Sequence, residues 1–280
     1  MKYATLREIR LYLGFLPIKV TGESLGVGDN STKVFYTKNK AIVDFDFDNQ
    51  ILDDVVVYIN GSPANIDNVD AERGIITLAN APASGASVTA DYYYHPIADS
   101  ELISAVEQAE AEIDAICGQS FDIKQYSELH EVTTGDIIAT FRTPIASIDA
   151  IRLETYDGKV IKTLSSDEYQ VLDERNGIIR LRHYAGLSSP PWYFPTTLYV
   201  RIIYNAGYSS IPVIVNEATK RLAAYIVMQK IVSMSAVAPE YQNKINLVFS
   251  RPEDLKIKLD EMRQEAFRII KLLPKQVRKI

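Results

Sequence analysis

The sequence predicts an α+β protein on three observations. Helical period opens the chain at "ATLREIRLYLG", returns at "ADSELISAVEQAEAEIDAICGQSF", and fills two further runs after Ile211. Between the first two helices, residues 22–95 break into short alternating or apolar runs separated by turn residues, which reads as a small antiparallel β module. A second β-rich stretch covers about 129–208.

In the first helix Leu6, Ile9, Leu11 and Leu13 fall near one face, and Gly14 suits the C-terminal cap. The run "VVVYING" ends in Asn60-Gly61, the strongest short-range hairpin signal. In the second helix Asp99 or Ser100 can cap the start. There Leu102, Val106, Ala109, Ile113 and Ile116 make one apolar stripe and Gly118 ends it. A third helix runs from about Pro212 to Ser233, with Ser209 or Ser210 as cap, Pro212 in the first turn, and Ile214, Ala218, Leu222, Tyr225 and Ile226 facing one way. In the last, Ser250 and Glu253 have capping-box spacing, and Leu255, Leu259, Met262, Ala266, Ile269 and Leu273 form the stripe before Pro274.

The two β stretches share a phrase. "VDAERGIITL" and "LDERNGIIRL" both run from an acid through charged residues and glycine into an Ile-Ile strand, and each leads on to an aromatic strand. Either the chain holds two similarly built modules, or one turn has been solved twice in the same way.

A chain of 280 residues is long enough for two or three modules. With 47% hydrophobic and 24% charged residues it is expected to be globular and soluble. The net charge of −6 opposes binding to a phosphate backbone unless cations cluster. They do so only near the end, at Lys271, Lys275, Arg278 and Lys279. The single cysteine, Cys117, excludes a disulfide framework and is read as a buried thiol. No apolar run approaches a membrane span, and charges in the first turns argue against a secretory signal.

Chemistry is sparsely signalled. "NAGYSSIP" has one glycine, no lysine, and a proline where a phosphate loop needs an N–H donor; "GVGDNSTKVF" leads into a strand. Asp44, Asp46 and Asp48 open like a calcium loop, but Asn49 and Val55 stand where glycine and glutamate are required. Strand alternation, with Phe45 and Phe47 inward, explains them. His95, His130 and His183 lack metal-ligand spacing, and Glu110 with Asp114 reads as a solvated helix face. The expectation is no catalytic residue, no cofactor and no metal. Aromatic clusters at module edges, with Tyr92, Tyr93 and Tyr94 in one and Trp192, Tyr193 and Phe194 in the other, are interface candidates.

Two stretches resemble a known family. "AVEQAEAEIDAICGQSFD" resembles the helix of gp6-like head–tail adaptor (connector) proteins of tailed phages, with Cys117, Gly118 and Phe121 at matching places. "YNAGYSSIPVIVNEATKRLAAYIV" is similar to the same family's later segment, through Tyr204, Ala206, Gly207, Tyr208, Ile211, Pro212 and Ala218. Gln119 stands where the family often has arginine, and compact members lack residues 22–95. The resemblance implies an α-helical adaptor core (1–21 and 96–280) with a small antiparallel sheet, carrying 22–95 as an inserted β-sandwich-like module. It implies a non-enzymatic virion protein of the neck, assembled in the host cytoplasm. Twelve copies would form a ring that docks on the portal, meets tail or neck proteins, and passes DNA through its channel without a membrane. Leu255, Leu259, Met262, Ile269, Lys275 and Arg278 of the last helix and its basic end are candidate contacts with portal or neighbour. The alternative is a virion module that binds carbohydrate or a host surface through its aromatic clusters.

Overall fold

The computed structural model describes residues 2–131, 137–182, 198–235 and 252–273. Contacts divide the chain into two compact units. One comprises Tyr3–Glu110 and Glu217–Ile269; the other comprises Ala111–Asn216 with Lys2 and the residues from Ile270 on.

The predicted α-helical core is not observed. The described residues hold fourteen strands in four antiparallel sheets beside four helices, so the protein is mostly β. Helical stripes stand out in a sequence because each runs for many residues. Strands of three to five residues with half-exposed faces leave a much weaker trace.

In the first unit β1 (Ile18–Val27), β7 (Ser87–Tyr94), β3 (Val56–Ile59) and β4 (Ser62–Ala64) form a sheet in the order β1-β7-β3-β4. β2 (Val34–Tyr36), β6 (Ile75–Leu78) and β5 (Ile66–Asp70) form a second, in the order β2-β6-β5. Phe35, Ile76 and Leu78 from one sheet meet Val57, Val88, Ala90 and Tyr92 from the other in a single core. The β3–β4 hairpin turns at Asn60 and Gly61, both at positive φ (49° and 84°).

The second unit repeats this plan. β8 (Lys124–Glu131), β14 (Leu198–Ala206), β10 (Ile145–Thr155) and β11 (Val160–Thr163) pair in the order β8-β14-β10-β11. β9 (Ile137–Ala139), β13 (Ile178–Leu181) and β12 (Tyr169–Asp173) pair in the order β9-β13-β12. Mapping β1–β7 onto β8–β14 in chain order reproduces both sheets. The alternative left open by the shared phrase is therefore settled: residues 18–94 and 124–206 are two modules of one topology.

Register and burial carry the match further. Val57 pairs with Ala90 as Ile151 pairs with Ile202, and all four are buried. Phe35 opposite Ile76 corresponds to Ile138 opposite Ile179. In each module a threonine N–H binds a glycine carbonyl, Thr37 to Gly74 at 2.8 Å and Thr140 to Gly177 at 2.9 Å. Both glycines are left-handed (φ 66° and 69°), and a Cβ on either would collide with the threonine hydroxyl. The turn before each glycine starts from an aspartate, Asp70 accepting from the Arg73 N–H and Asp173 from the Asn176 N–H.

The helices are α1 (Leu6–Leu13), α2 (Asp99–Cys117), α3 (Val213–Ser235) and α4 (Pro252–Ile270). In α1 the Thr5–Glu8 capping box and Gly14 (φ 73°) fix both ends, but only Leu6 and Ile9 of the expected face are buried; Leu11 is exposed. Arg10, one turn after Leu6 at the edge of that face, is completely buried. In α2 the stripe Leu102, Val106, Ala109 and Ile113 is buried, whereas Ile116 is partly exposed. The Leu102 N–H binds the carbonyl of Ala98, so Ala98 precedes the helix and Asp99 is not its cap. The Pro212 carbonyl accepts the N–H of Asn216, which places Pro212 at the N-cap of α3 and not inside the first turn. α3 buries Val215, Ala218, Leu222 and Val227, a face rotated from the expected one, and Ile214 is partly exposed. Ser250 lies outside the described residues, and Pro252 opens α4.

Candidate functional site

Phe121, Gly207 and Tyr208, three of the residues that carry the family resemblance, come together in the second unit. At the end of α2, Gly118 is left-handed (φ 70°), and its carbonyl accepts from the Arg142 guanidinium. Cys117 and Phe121 are buried. Phe121 stacks on Tyr208, their ring centres 6.1 Å apart, and its carbonyl accepts the Tyr208 N–H at 3.0 Å. Between them Gly207 (φ 134°) gives its N–H to the Pro144 carbonyl at 3.0 Å. The chain passes so close that a Cβ on Gly207 would lie 2.5 Å from the Asp122 carbonyl oxygen. The glycine turn thus serves a backbone crossing, and its donors are taken by carbonyls.

Tyr204 anchors the same module from within. Its hydroxyl donates to Glu128 Oε1 at 2.5 Å and accepts the Arg142 N–H at 3.0 Å. Glu128 Oε2 accepts the Phe141 N–H at 2.8 Å and lies 3.1 Å from His130 Nε2. Burial pushes the Glu128 carboxyl up, but His130, Tyr204 and the Phe141 N–H together hold it below its ordinary value. Burial and then the Glu128 carboxylate push the Tyr204 phenol well up.

The first module has the same clasp. The Tyr92 hydroxyl donates to Glu23 Oε2 at 2.7 Å and accepts from Asn39 Nδ2 at 3.2 Å, while Glu23 Oε1 accepts the Lys38 N–H at 2.7 Å. Burial, then the bond to Glu23, pushes the Tyr92 phenol up to about 12. In both modules a tyrosine on the last strand and a glutamate on the first hold down the loop after the second strand.

A depressed folded-state pKa means that Glu128 stabilises the fold above its unfolded pKa of about 4.3, and that this contribution is lost as pH falls through the folded value. Glu128→Gln is expected to weaken the second unit by about 1.5–3 kcal/mol at pH 7, where it removes charge-assisted bonds. The difference from wild type should shrink below pH 4 in acid-unfolding curves; a difference constant with pH would contradict the assignment.

The candidate interface residues separate. Tyr92 is core, 1% exposed, because its hydroxyl has Glu23 and Asn39 as partners; it is not a surface contact. Tyr94 is half-buried against the same core. Leu259, Met262 and Ile269 are half-buried on α4, and Leu255 lies in α4. Trp192, Tyr193, Phe194, Lys275 and Arg278 lie outside the described residues, as does His183.

Two other sequence readings are revised. Residues 44–50 form no strand: both Asp44 oxygens accept backbone N–H groups, from Phe47 at 2.5 Å and Asn49 at 2.6 Å, and these bonds fold the segment into a loop with Phe45 exposed. The Asp44, Asp46 and Asp48 carboxylates gather within 4.8 Å, with Asp44 already committed to those N–H groups. Glu110 is buried, accepting the Tyr3 N–H at 2.8 Å, and does not belong to a solvated face. At residues 26–35 the turn is closed by Asp29, which accepts the Ser31 and Thr32 N–H groups and puts a carboxylate where an anion would sit.

Besides the two clasps, sequence reasoning missed a buried ion pair at the base of the first module. Asp99 Oδ1 accepts from Arg10 Nη2 at 2.6 Å and Nε at 2.9 Å, and Asp99 Oδ2 accepts the Asp44 N–H at 3.0 Å. Arg10 also donates to the carbonyls of Phe15 and Ile97. One guanidinium ties α1, the start of α2 and the β module together. Among the described residues no helix is long and apolar enough to cross a membrane.

No family model and no curated protein matches the sequence. Among solved structures the chain is similar to one in the neck of an empty GTA particle, computed with C6 symmetry. The identity is 24% over 45% of this chain and 64% of that one, with a TM-score of 0.35. It is also similar to a chain in the virion of a native gene transfer agent (GTA) particle, at 20% identity over the same shares, with a TM-score of 0.33. The matched part is thus under half of this chain and less than two thirds of either neighbour, and scores this low carry no argument about fold or function.

Proposed function

We propose that the chain is a structural, non-enzymatic protein of a tailed-virus neck, a ring-forming head–tail adaptor that docks on the portal and links capsid to tail. The observation that supports this reading is the convergence of the family's motif. Phe121 lies some ninety residues before Gly207 and Tyr208, and the two segments meet at one backbone crossing. Residues that match a family only by chance have no reason to share a junction.

Ring closure needs heterologous contacts between two different faces of each subunit. A chain that is acidic overall also lets DNA pass without holding it, since few phosphate contacts can form. The test is sedimentation of the purified full chain with portal rings. Comigration as a ring is expected; a chain that stays monomeric beside portal at every concentration would overturn the proposal.

A further inference from the structure

The second module serves as an internal standard for the first, because it shows what the shared fold requires. Their cores and clasps match, but their outer faces do not. Between the equivalent positions Ile42 and Val57 the first module has residues 43–56, whereas between Ile145 and Ile151 the second has only 146–150. The extra length is the loop that begins at Asp44. It brings Phe45, 46% exposed, onto Tyr93, with ring centres 4.1 Å apart and planes within 13°. Lys19 lies over the Tyr93 ring, its ammonium 5.7 Å from the ring centre. At the position of Tyr93 the second module carries Asn205, bonded to Ser147 and Asp149, a polar surface with no aromatic platform. The fold does without this loop and its exposed Phe45 ring on the half-buried Tyr93, so another role must account for them.

The charge pattern selects an occupant. From Ala41 to Glu72 the sequence contains no lysine or arginine, and Asp46, Asp48 and Asp53 of the loop are exposed. Burial and its neighbours Asp44, Asp46 and Asp53 raise the carboxyl of Asp54. The complementary chemistry lies in the same polypeptide: residues 266–280 contain no acid, and Lys271, Lys275, Arg278 and Lys279 alternate with leucine, valine and isoleucine. Leu272 is 67% exposed.

We infer that the Phe45–Tyr93 face of one copy receives the basic, apolar C-terminal segment of a second copy. This rests on the ring proposed above and names the two unlike faces that its heterologous contact requires. Aliphatic side chains lie on the rings, while lysine and arginine meet the loop carboxylates at the rim.

The probe is a synthetic peptide of residues 271–280, titrated into the full chain carrying Lys275→Glu and Arg278→Glu so that its own segment does not compete. Binding that weakens as salt is raised is expected, with a loss of about tenfold on Phe45→Ala and complete loss on Asp46→Lys with Asp48→Lys. A second arm follows rings formed with portal. Reversing the loop charges should block them, and adding Lys275→Glu and Arg278→Glu should restore them. No peptide binding, binding indifferent to Phe45 and the loop charges, or unrescued rings would overturn the inference. A wild-type chain that never joins portal while the peptide still binds would count against the neck reading alone.

Discussion

Arg10→Ala is expected to destabilise the first unit by about 3–5 kcal/mol, the cost of removing one partner from a buried ion pair. Arg10 is 0% exposed, and its removal strands the Asp99 carboxylate with the Asp44 N–H as its remaining partner in this node. It also frees the carbonyls of Phe15 and Ile97. The neighbouring Arg7→Ala, at an exposed position of the same helix, should change stability by less than about 0.5 kcal/mol. Urea unfolding of both variants gives the comparison. Equal effects would mean that Arg10 contributes no more than a surface charge.

The second large effect is expected at Gly207. Its φ of 134° lies in a region that side chains avoid, and a Cβ would meet the Asp122 carbonyl oxygen at 2.5 Å, its carbon at 2.7 Å and the Ile123 Cα at 2.8 Å. These are backbone atoms and cannot rotate away. Strain and overpacking each cost about 1–3 kcal/mol, so Gly207→Ala should cost about 3 kcal/mol or more and Gly207→Val more still. Gly158 is the control: it is also left-handed (φ 83°), but nothing lies within 4 Å of its Cβ position, so Gly158→Ala should cost only about 1 kcal/mol. Thermal unfolding ranks the pair. A Gly207 variant as stable as the Gly158 variant would contradict the crossing.

The legible parts of this fold are those fixed by local chemistry. The Asn60-Gly61 hairpin, the Gly14 and Gly118 helix ends, and the α2 stripe all depend on residues within a turn or two of each other, and the structure bears them out. The predominance of β structure was harder to read, because strands such as Val34–Tyr36 or Ser62–Ala64 are too short to show a period. The duplication left one legible trace, the acid-to-glycine turns ending at Gly74 and Gly177. Its stronger signature, Tyr92 with Glu23 and Tyr204 with Glu128, joins residues some seventy positions apart. No local pattern reports such pairs. The same holds for Arg10 and Asp99: Asp99 reads as a candidate helix cap and Arg10 carries no local signal, and only the tertiary fold buries them together.

The motif residues stood out only through family resemblance, and their meeting could not be read at all, since one glycine before a helix fits many uses. Its partner Asp122 lies far upstream, so nothing near Gly207 in sequence indicates that a backbone crosses there. The aromatic clusters show the opposite limit. Tyr92 and Tyr93 are adjacent in "DYYYH", yet strand alternation sends one into the core and the other beneath Phe45.

The most direct test of the neck assignment is an electron cryo-microscopy reconstruction of the mature particle's portal vertex, traced side chain by side chain. This chain should appear there as a closed ring between portal and tail, with Gly207 buried at its crossing and Phe45 turned toward an adjoining protomer. A vertex fully accounted for by other polypeptides would contradict it.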